Sequence, residues 1–451
     1  MKRITKTIAT GIALLALLAL AGCSAGGAST DVKPADSGHV SWYGYAPDTP
    51  VAQKYIAAFN KQYPKIKVTY KNFENVDYRN TIIPALESGS GPDVYNISAG
   101  SGTPALWGAY AVDLTSLAKS KLGSDWKTKI ASGYAQQLTT DGHLVALPLG
   151  GMSAGFIWYN ADILKAAGAE VPTDYTSWVD TCAKVTAIGK TCFTMGAGGK
   201  DSFPTEMYHS IANSVDPGWY TKAASGKAKW DDPQGIEVLT IFQNMQKDGI
   251  IASNALDGGQ YPLADTEFQK SEAAMVQMGY WYAQYSGATS CITAESSAGV
   301  KDPKCFVQLP AEFPDVAQKG HGSNYFGEVD YGLAVNSDSP NVAAAKTFVA
   351  WMTMSKAGQQ NIANAIDLLP ALKGVAPDWN SIKLVSGTVQ QPAIEGLINK
   401  SAAITEPRNL ATTSQTLTAM LVAVQQVLDP SNNSSLKDIA TQFQTAAKAS
   451  S

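Results

Sequence analysis

The residues Gly151-Met152-Ser153-Ala154-Gly155 fit G-x-S-x-G, the spacing that lifts a serine nucleophile onto a sharp strand-to-helix turn in hydrolases. That turn needs a strand before the serine, a helix directly after it, and a histidine and an acid elsewhere in the chain. Here Phe156-Ile157-Trp158-Tyr159 reads as another strand. The later histidines are His209 and His321, and nothing in their spacing sets an acid beside either. The motif therefore does not point to acyl transfer. Lys190-Thr191 after Gly189 imitates the end of a phosphate-binding loop, but the glycine that must open such a loop is missing. A helix C-cap accounts for Gly189 better. The four histidines, His39, His143, His209 and His321, are scattered and no C-x-x-C occurs, so neither a zinc site nor any cofactor is expected.

Composition points to binding instead. Of 451 residues, 45% are hydrophobic and 16% charged, with 10 Trp, 19 Tyr and 12 Phe. Low charge with many aromatics suits neutral ligands held on aromatic surfaces. The net charge of −4 gives no basic face, which excludes nucleic acid as a partner. The length suits two lobes and a large core.

The first 23 residues carry an address. Lys2, Arg3 and Lys6 precede an apolar stretch from Ile8 to Ala21, too short for a stable membrane span. Leu20-Ala21-Gly22-Cys23 then resembles the lipobox of bacterial lipoproteins. That resemblance implies cleavage before Cys23, lipid on its thiol and a second signal of acylation that fixes the chain to a membrane surface. Removing three cations and no acid takes the charge from −4 to −7. Outside the cytoplasm the other four cysteines can form disulfides. Three pairings are open to them; nearness favours Cys182 with Cys192 and Cys291 with Cys305, each worth roughly 3 kcal/mol in the chain-entropy picture.

The elements that must position these residues follow from periodicity. Residues 24 to 37 read as a flexible Gly/Ala/Ser tether. Strands at 40–45, 66–70 and 94–97 alternate with helices opened by Asp48-Thr49-Pro50 and near Asp77, which is the spacing of an α/β layer with a parallel sheet. Further strands are expected at 144–149, 156–159, 273–278, 306–309 and 331–335. Ser177 with Asp180 reads as the start of a helix that Gly189 ends. Helices are also expected at 233–247, 340–352, 355–365, 412–428 and 436–449.

At this point the chain resembles the extracellular solute-binding proteins of ATP-driven importers, in their carbohydrate group. The likeness is carried by Ala57-Ala58-Phe59-Asn60 with Tyr63-Pro64-Lys65-Ile66, by Gly91-Pro92-Asp93-Val94, and by Gly142 to Pro148 followed by Trp158-Tyr159-Asn160-Ala161-Asp162. It continues in Ser177-Trp178, in Ala273-Ala274-Met275 with Gly279-Tyr280-Trp281, in Gly358-Gln359-Gln360 and in Leu369-Pro370-Ala371. The resemblance implies an α/β, two-lobe periplasmic-binding-protein-like fold of type II, hinged between the lobes. It divides the chain into a signal peptide (1–22), a lipidated tether (23–38), lobe 1 (39–150 and 327–372) and lobe 2 (151–326 and 373–451). Crossings are expected near 149–153, 309–325 and 370–375.

It further implies a monomer that captures a carbohydrate, in all an oligosaccharide, and passes it to the permease subunits of the importer without covalent chemistry. A secreted glycosidase and a sugar sensor or adhesion module are the alternatives. A sugar offers apolar C–H faces to flat aromatics and hydroxyls to Asp, Glu, Asn and Arg. On that basis the expected ligand residues are Tyr45, Glu74, Ser98, Ser101, Ser153, Phe203, Tyr208, Trp281, Tyr282, Phe326 and Glu328. Trp281 is the expected stacking platform and Glu328 the preferred carboxylate. Asp330 is open to serving the backbone instead, Asp77 to capping a helix or meeting ligand, and Arg408 is read as a surface ion pair.

Overall fold

The computed structural model describes residues 33–100, 103–199, 203–322, 324–410 and 412–448. Cys23 with its lipobox, and Ser101, lie outside the described residues. No described helix is long and apolar enough to cross a membrane.

Ten strands build two main sheets: β1 (Gly38–Gly44), β2 (Ile66–Asn72), β3 (Val94–Ser98), β4 (Leu147–Ala154), β5 (Phe156–Asn160), β6 (Thr191–Thr194), β7 (Ala273–Val276), β8 (Gln308–Glu312), β9 (Phe326–Val335) and β10 (Leu369–Pro370). The first sheet has the order β10-β4-β9-β3-β1-β2 and the second β8-β5-β7-β6. The helices that matter below are α1 (Thr49–Gln62), α2 (Asn75–Glu87), α3 (Tyr175–Ala187), α4 (Pro204–Val215), α5 (Trp219–Ala224), α6 (Val342–Met354), α7 (Gly387–Ser401), α8 (Ser414–Leu428) and α9 (Leu436–Lys448).

Sequence dictates the first layer closely. In α1, Pro50 sits in the first turn and Val51, Tyr55, Ile56 and Phe59 fall on one buried face. Phe59 packs edge-on against Phe348 of α6. β1 pairs in parallel with β2 and β3, as the alternation of strands and helices predicts. The rest of that sheet is antiparallel: β9 runs against β3 and β4, and β10 against β4. The parallel layer expected from the first three strands is thus extended on its β3 side by antiparallel strands.

The start of α3 is also corrected. Asp174 is its N-cap, accepting from the Ser177 backbone N–H, and Ser177 completes the capping box from the third helical position. The Ser177-Asp180 pairing is one turn too late. The two local disulfides form, with Cα separations of 4.9 Å for Cys182–Cys192 and 5.8 Å for Cys291–Cys305.

Each sheet carries its own core. Trp42, Tyr55, Phe59, Tyr78, Tyr95 and Phe348 centre the first. Trp178, Phe193, Tyr208, Trp230, Phe242 and Phe443 centre the second. Fully burying such side chains contributes on the order of 1.5–3 kcal/mol each. Between the lobes, all eight residues of β4 are buried. β4 pairs with β9 from Leu147 with Leu333 to Ala154 with Phe326, and β10 joins at Gly150 and Gly151. Only Gly155, at φ +96°, separates β4 from β5 of the second sheet. The connection between the lobes is therefore a narrow three-stranded ribbon.

Candidate ligand cleft

β7 is apolar and buried throughout, and it delivers the chain to Gly279 and the short 3-10 segment Tyr280–Ser286. The Trp281 indole folds back over Gly279 so closely that no Cβ fits there. Trp281 is half-buried. It packs on Met152, Ala154 and Phe326 of the ribbon, and its Nε1 donates to the Tyr261 hydroxyl at 2.9 Å. Phe203, just before α4, lies 6.0 Å from it at 59° and meets Tyr261 edge-on. Trp281, Phe203 and Tyr261 are all half-buried and form one aromatic corner.

The Arg408 guanidinium lies over this corner, 5.4 Å from the Trp281 ring and 5.7 Å from Phe203. Its Nε donates to Glu206 Oε1 at 2.7 Å, and its Nη2 donates to the same oxygen. Glu206 is 3% exposed, and its other oxygen has no partner among the described residues. Half-buried Arg408 thus pairs with a buried carboxylate of α4, where the sequence suggested a surface pair. Burial works against its charge, but Glu206 and Glu328 hold the guanidinium above its ordinary value.

The opposite wall comes from the first lobe. Tyr45 follows β1, is half-buried, and donates its hydroxyl to the Asp330 carbonyl at 3.2 Å. Its ring meets Tyr78 and Tyr331 edge-on. A cross-lobe bond joins the walls: the Tyr285 hydroxyl donates to Asp48 Oδ2 at 3.3 Å.

The two carboxylates of β9 sit in different surroundings. Glu328 is 6% exposed, and its Oε2 accepts the backbone N–H groups of Asn409 and Leu410 at 2.9 and 3.0 Å. Asp330 is half-buried, and no hydrogen bond or ion pair from a described residue reaches its carboxylate. The pairing of β9 with β4 shifts register between Val329 and Tyr331, so simple alternation fails there. Burial pushes the Asp330 carboxyl up to about 6, with Arg408 opposing. Burial likewise pushes Asp265, which accepts from the Tyr282 hydroxyl, up to about 6.

Several sequence-expected ligand residues are placed elsewhere and are corrected here. Tyr208 is fully buried in the core of the second lobe, against Trp230 and Phe443. Tyr282 is fully buried and its hydroxyl is shared with Asp265 and Gln269. Phe326 is fully buried, stacked flat on His209 at 3.9 Å. Ser153 is fully buried within β4, its Oγ 2.7 Å from that of Ser401, and β5 rather than a helix follows it. No nucleophile elbow exists at this serine. Glu74 stands exposed at the N-terminus of α2 without a side-chain cap, and Asp77 sits in the first turn of that helix. Ser98 ends β3, paired with Tyr331.

Sequence reasoning did not single out Tyr261, Asp265 or Glu206, and it did not anticipate the placement of Arg408 between Glu206 and Trp281. One signal existed for the last. Of 34 basic residues only Arg3, Arg79 and Arg408 are arginine, which marks positions where a flat five-donor fork is needed rather than an ammonium.

Two sheets over separate cores, a three-stranded hinge and a polar-aromatic cleft between them define a two-lobe ligand-capturing protein. Residues 45–359 match the family described as bacterial extracellular solute-binding protein, and the chain belongs to that family. Among its relatives, the melibiose/raffinose/stachyose-binding protein MelE of Bacillus subtilis is 25% identical over 372 residues, spanning 81% of this chain and 80% of that protein. A structure solved in work on xylan utilization by Caldanaerobius polysaccharolyticus superposes with a TM-score of 0.71 at 20% identity, over 90% of this chain and 99% of that one. Maltose-bound MalE3 of T. maritima gives 0.68 at 17% identity, over 91% and 99%.

Proposed function

We propose that this protein captures an oligosaccharide between its lobes and hands it to the permease of an ATP-driven importer. The observation that carries this reading is the corner itself. A half-buried aromatic floor of Trp281, Phe203 and Tyr261 lies beneath a guanidinium fork, with the unpaired Asp330 carboxylate in the same electrostatic neighbourhood. Flat apolar faces suit the C–H side of a pyranose, and an acceptor with a donor fork suits neighbouring hydroxyls. MelE, which aligns over four-fifths of the chain, carries three galactosides in its name. Tyr45, Phe203, Trp281, Asp330 and Arg408 are the ligand-facing set, with Glu74 and Ser98 at the rim. The lobes divide at 39–150 with 327–372 and 151–326 with 373–451.

The protein performs no covalent step. Ligand favours the closed arrangement in proportion to its higher affinity for it. The mature chain is a monomer outside the cytoplasm, held to the membrane by lipid on Cys23.

A thermal-shift and calorimetric screen with melibiose, raffinose, stachyose, maltose and xylotriose tests the reading, since a ligand of the folded state raises stability by mass action. Saturable binding of at least one sugar, with no hydrolysis product after prolonged incubation, is the expected result. Silence toward the whole panel, or turnover lost in Ser153→Ala, would overturn it.

A further inference from the structure

Between α7 and α8 the chain runs through residues 402–410 as an irregular segment along the face of α4. Its docking is patterned. Glu206, His209 and Asn213 occupy positions i, i+3 and i+7 of α4 and so form one stripe. Glu406 meets the far end of that stripe. Its Oε1 lies 3.0 Å from His209 Nε2 and its Oε2 accepts from Asn213 Nδ2 at 3.1 Å. Thr221 of α5 donates to Oε1 at 2.8 Å. Two residues on, Arg408 meets the near end through Glu206. An extended chain turns residues i and i+2 to the same side, so the segment presents an acid and a base to a helix stripe that answers both.

The other edge of the segment is held by the hinge ribbon. The Glu406 carbonyl accepts from Gly327 N at 2.9 Å, and the Asn409 and Leu410 amides donate to Glu328. His209 itself is clamped between the rings of Tyr220 and Phe326, 3.7 and 3.9 Å away and nearly parallel to both. Glu406 is therefore pinned by side chain and backbone at once, while the Arg408 guanidinium lies over the aromatic corner.

We propose that residues 402–410 form a strap that sets the specificity of the cleft, and that Glu406 is a positioning residue which fixes Arg408 over Trp281 and Phe203 for ligand hydroxyls. The proposal rests on the carbohydrate reading for its ligand. The strap's contacts are all made within the protein, so the donor fork is presented rather than recruited. Loss of the Glu406 anchor frees the extended stretch, and Arg408 then loses its fixed aim even though its own contact with Glu206 is chemically intact.

Two arms test this. In the first, raffinose is titrated calorimetrically into wild type, Glu406→Ala, Arg408→Ala and the double variant. Each single change is expected to weaken binding about tenfold, and the double variant to bind no more weakly than Arg408→Ala alone. Glu406→Gln, which keeps the shape and an acceptor oxygen, is expected to recover most of the affinity. Additive losses would overturn the proposal, because they would mean that Glu406 acts independently of Arg408.

The second arm needs no sugar. Trypsin, with mass spectrometry of the products, is expected to spare the Arg408–Asn409 bond in wild type and to cut it rapidly in Glu406→Ala. If Glu406→Ala fails to fold, Thr221→Val removes one anchor donor and is expected to raise the same cut more modestly. Unchanged protection would overturn the strap. Wild type that ignores raffinose, stachyose and maltose but shows the tryptic difference would overturn the carbohydrate reading and leave the strap standing.

Discussion

At Asp330 the chain keeps a carboxylate half-buried and unpaired, and its titration gives a test at the scale of one residue. Burial raises its folded value to about 6, above the ordinary carboxylate value near 4. Between those values the folded state holds more protons than the unfolded one. This group's contribution to stability is therefore complete below about pH 4 and is lost as pH rises through about 6. Ligand hydroxyls donate to the ionised form, so sugar affinity is expected to rise between pH 5 and 7 as the proton leaves. Calorimetry across that range should show the rise in wild type and a flatter profile in Asp330→Asn. Trp281→Ala is expected to weaken sugar binding by roughly 1–3 kcal/mol, the range for a large aromatic at a pocket centre. Because its indole also packs on Met152, Ala154 and Phe326, denaturant melts of the unliganded variant should show a smaller accompanying loss of stability. An unchanged affinity would remove Trp281 from the site.

The residue scale also shows what the sequence could and could not tell. Trp281 was legible because a buried strand, Gly279 and the aromatic run stand in a recognisable order. Phe203 was legible as an aromatic in a loop-rich part of the second lobe. Whether Glu328 or Asp330 serves ligand was not legible, because the two stand i and i+2 on one strand and only their tertiary partners, and a register shift in the β9–β4 pairing, set them apart. Tyr208, Tyr282 and Phe326 misled for another reason. An aromatic near a cleft and an aromatic in the core beneath it look alike until the packing partners are known.

At the scale of elements, the parallel trio β1, β2 and β3 and its helices were readable, since short-range periodicity specifies them. The return of the chain to the first lobe over 327–372 came only from the family resemblance, since the pairings of β9 and β10 span well over a hundred residues and leave no local mark. The disulfides were favoured by nearness in sequence, and both staple helices of the second lobe to their neighbours: Cys182 of α3 to Cys192 of β6, and Cys291 to Cys305. Replacing Cys182 and Cys192 together by Ser is expected to cost about 2–4 kcal/mol, the usual range for a loop-closing bridge. Chemical denaturation of oxidised wild type and the double variant measures it. Peptide mapping without reduction should recover both cross-links, and free thiols at these positions would refute the pairing.

At the scale of the molecule, the proposed anchor and the proposed cleft can be tested apart. Cys23 precedes β1 in sequence and is none of the residues proposed to face ligand. Cys23→Ala is expected to shift the protein from the detergent phase to the aqueous phase while leaving sugar affinity unchanged. Equal partitioning of mutant and parent would tell against lipidation.

The indole folded over Gly279 has an optical consequence. Eight of the ten tryptophans are no more than 6% exposed; Trp281 and Trp379 are half-buried. Emission that responds to a solute entering between the lobes must then arise chiefly at Trp281, with Trp379 as the second accessible emitter. A Trp379→Phe background would leave a single solvent-reachable fluorophore, held in place by the backbone beneath it. The protein would then report occupancy of its own cleft by wavelength and by protection from acrylamide quenching, with no dye attached.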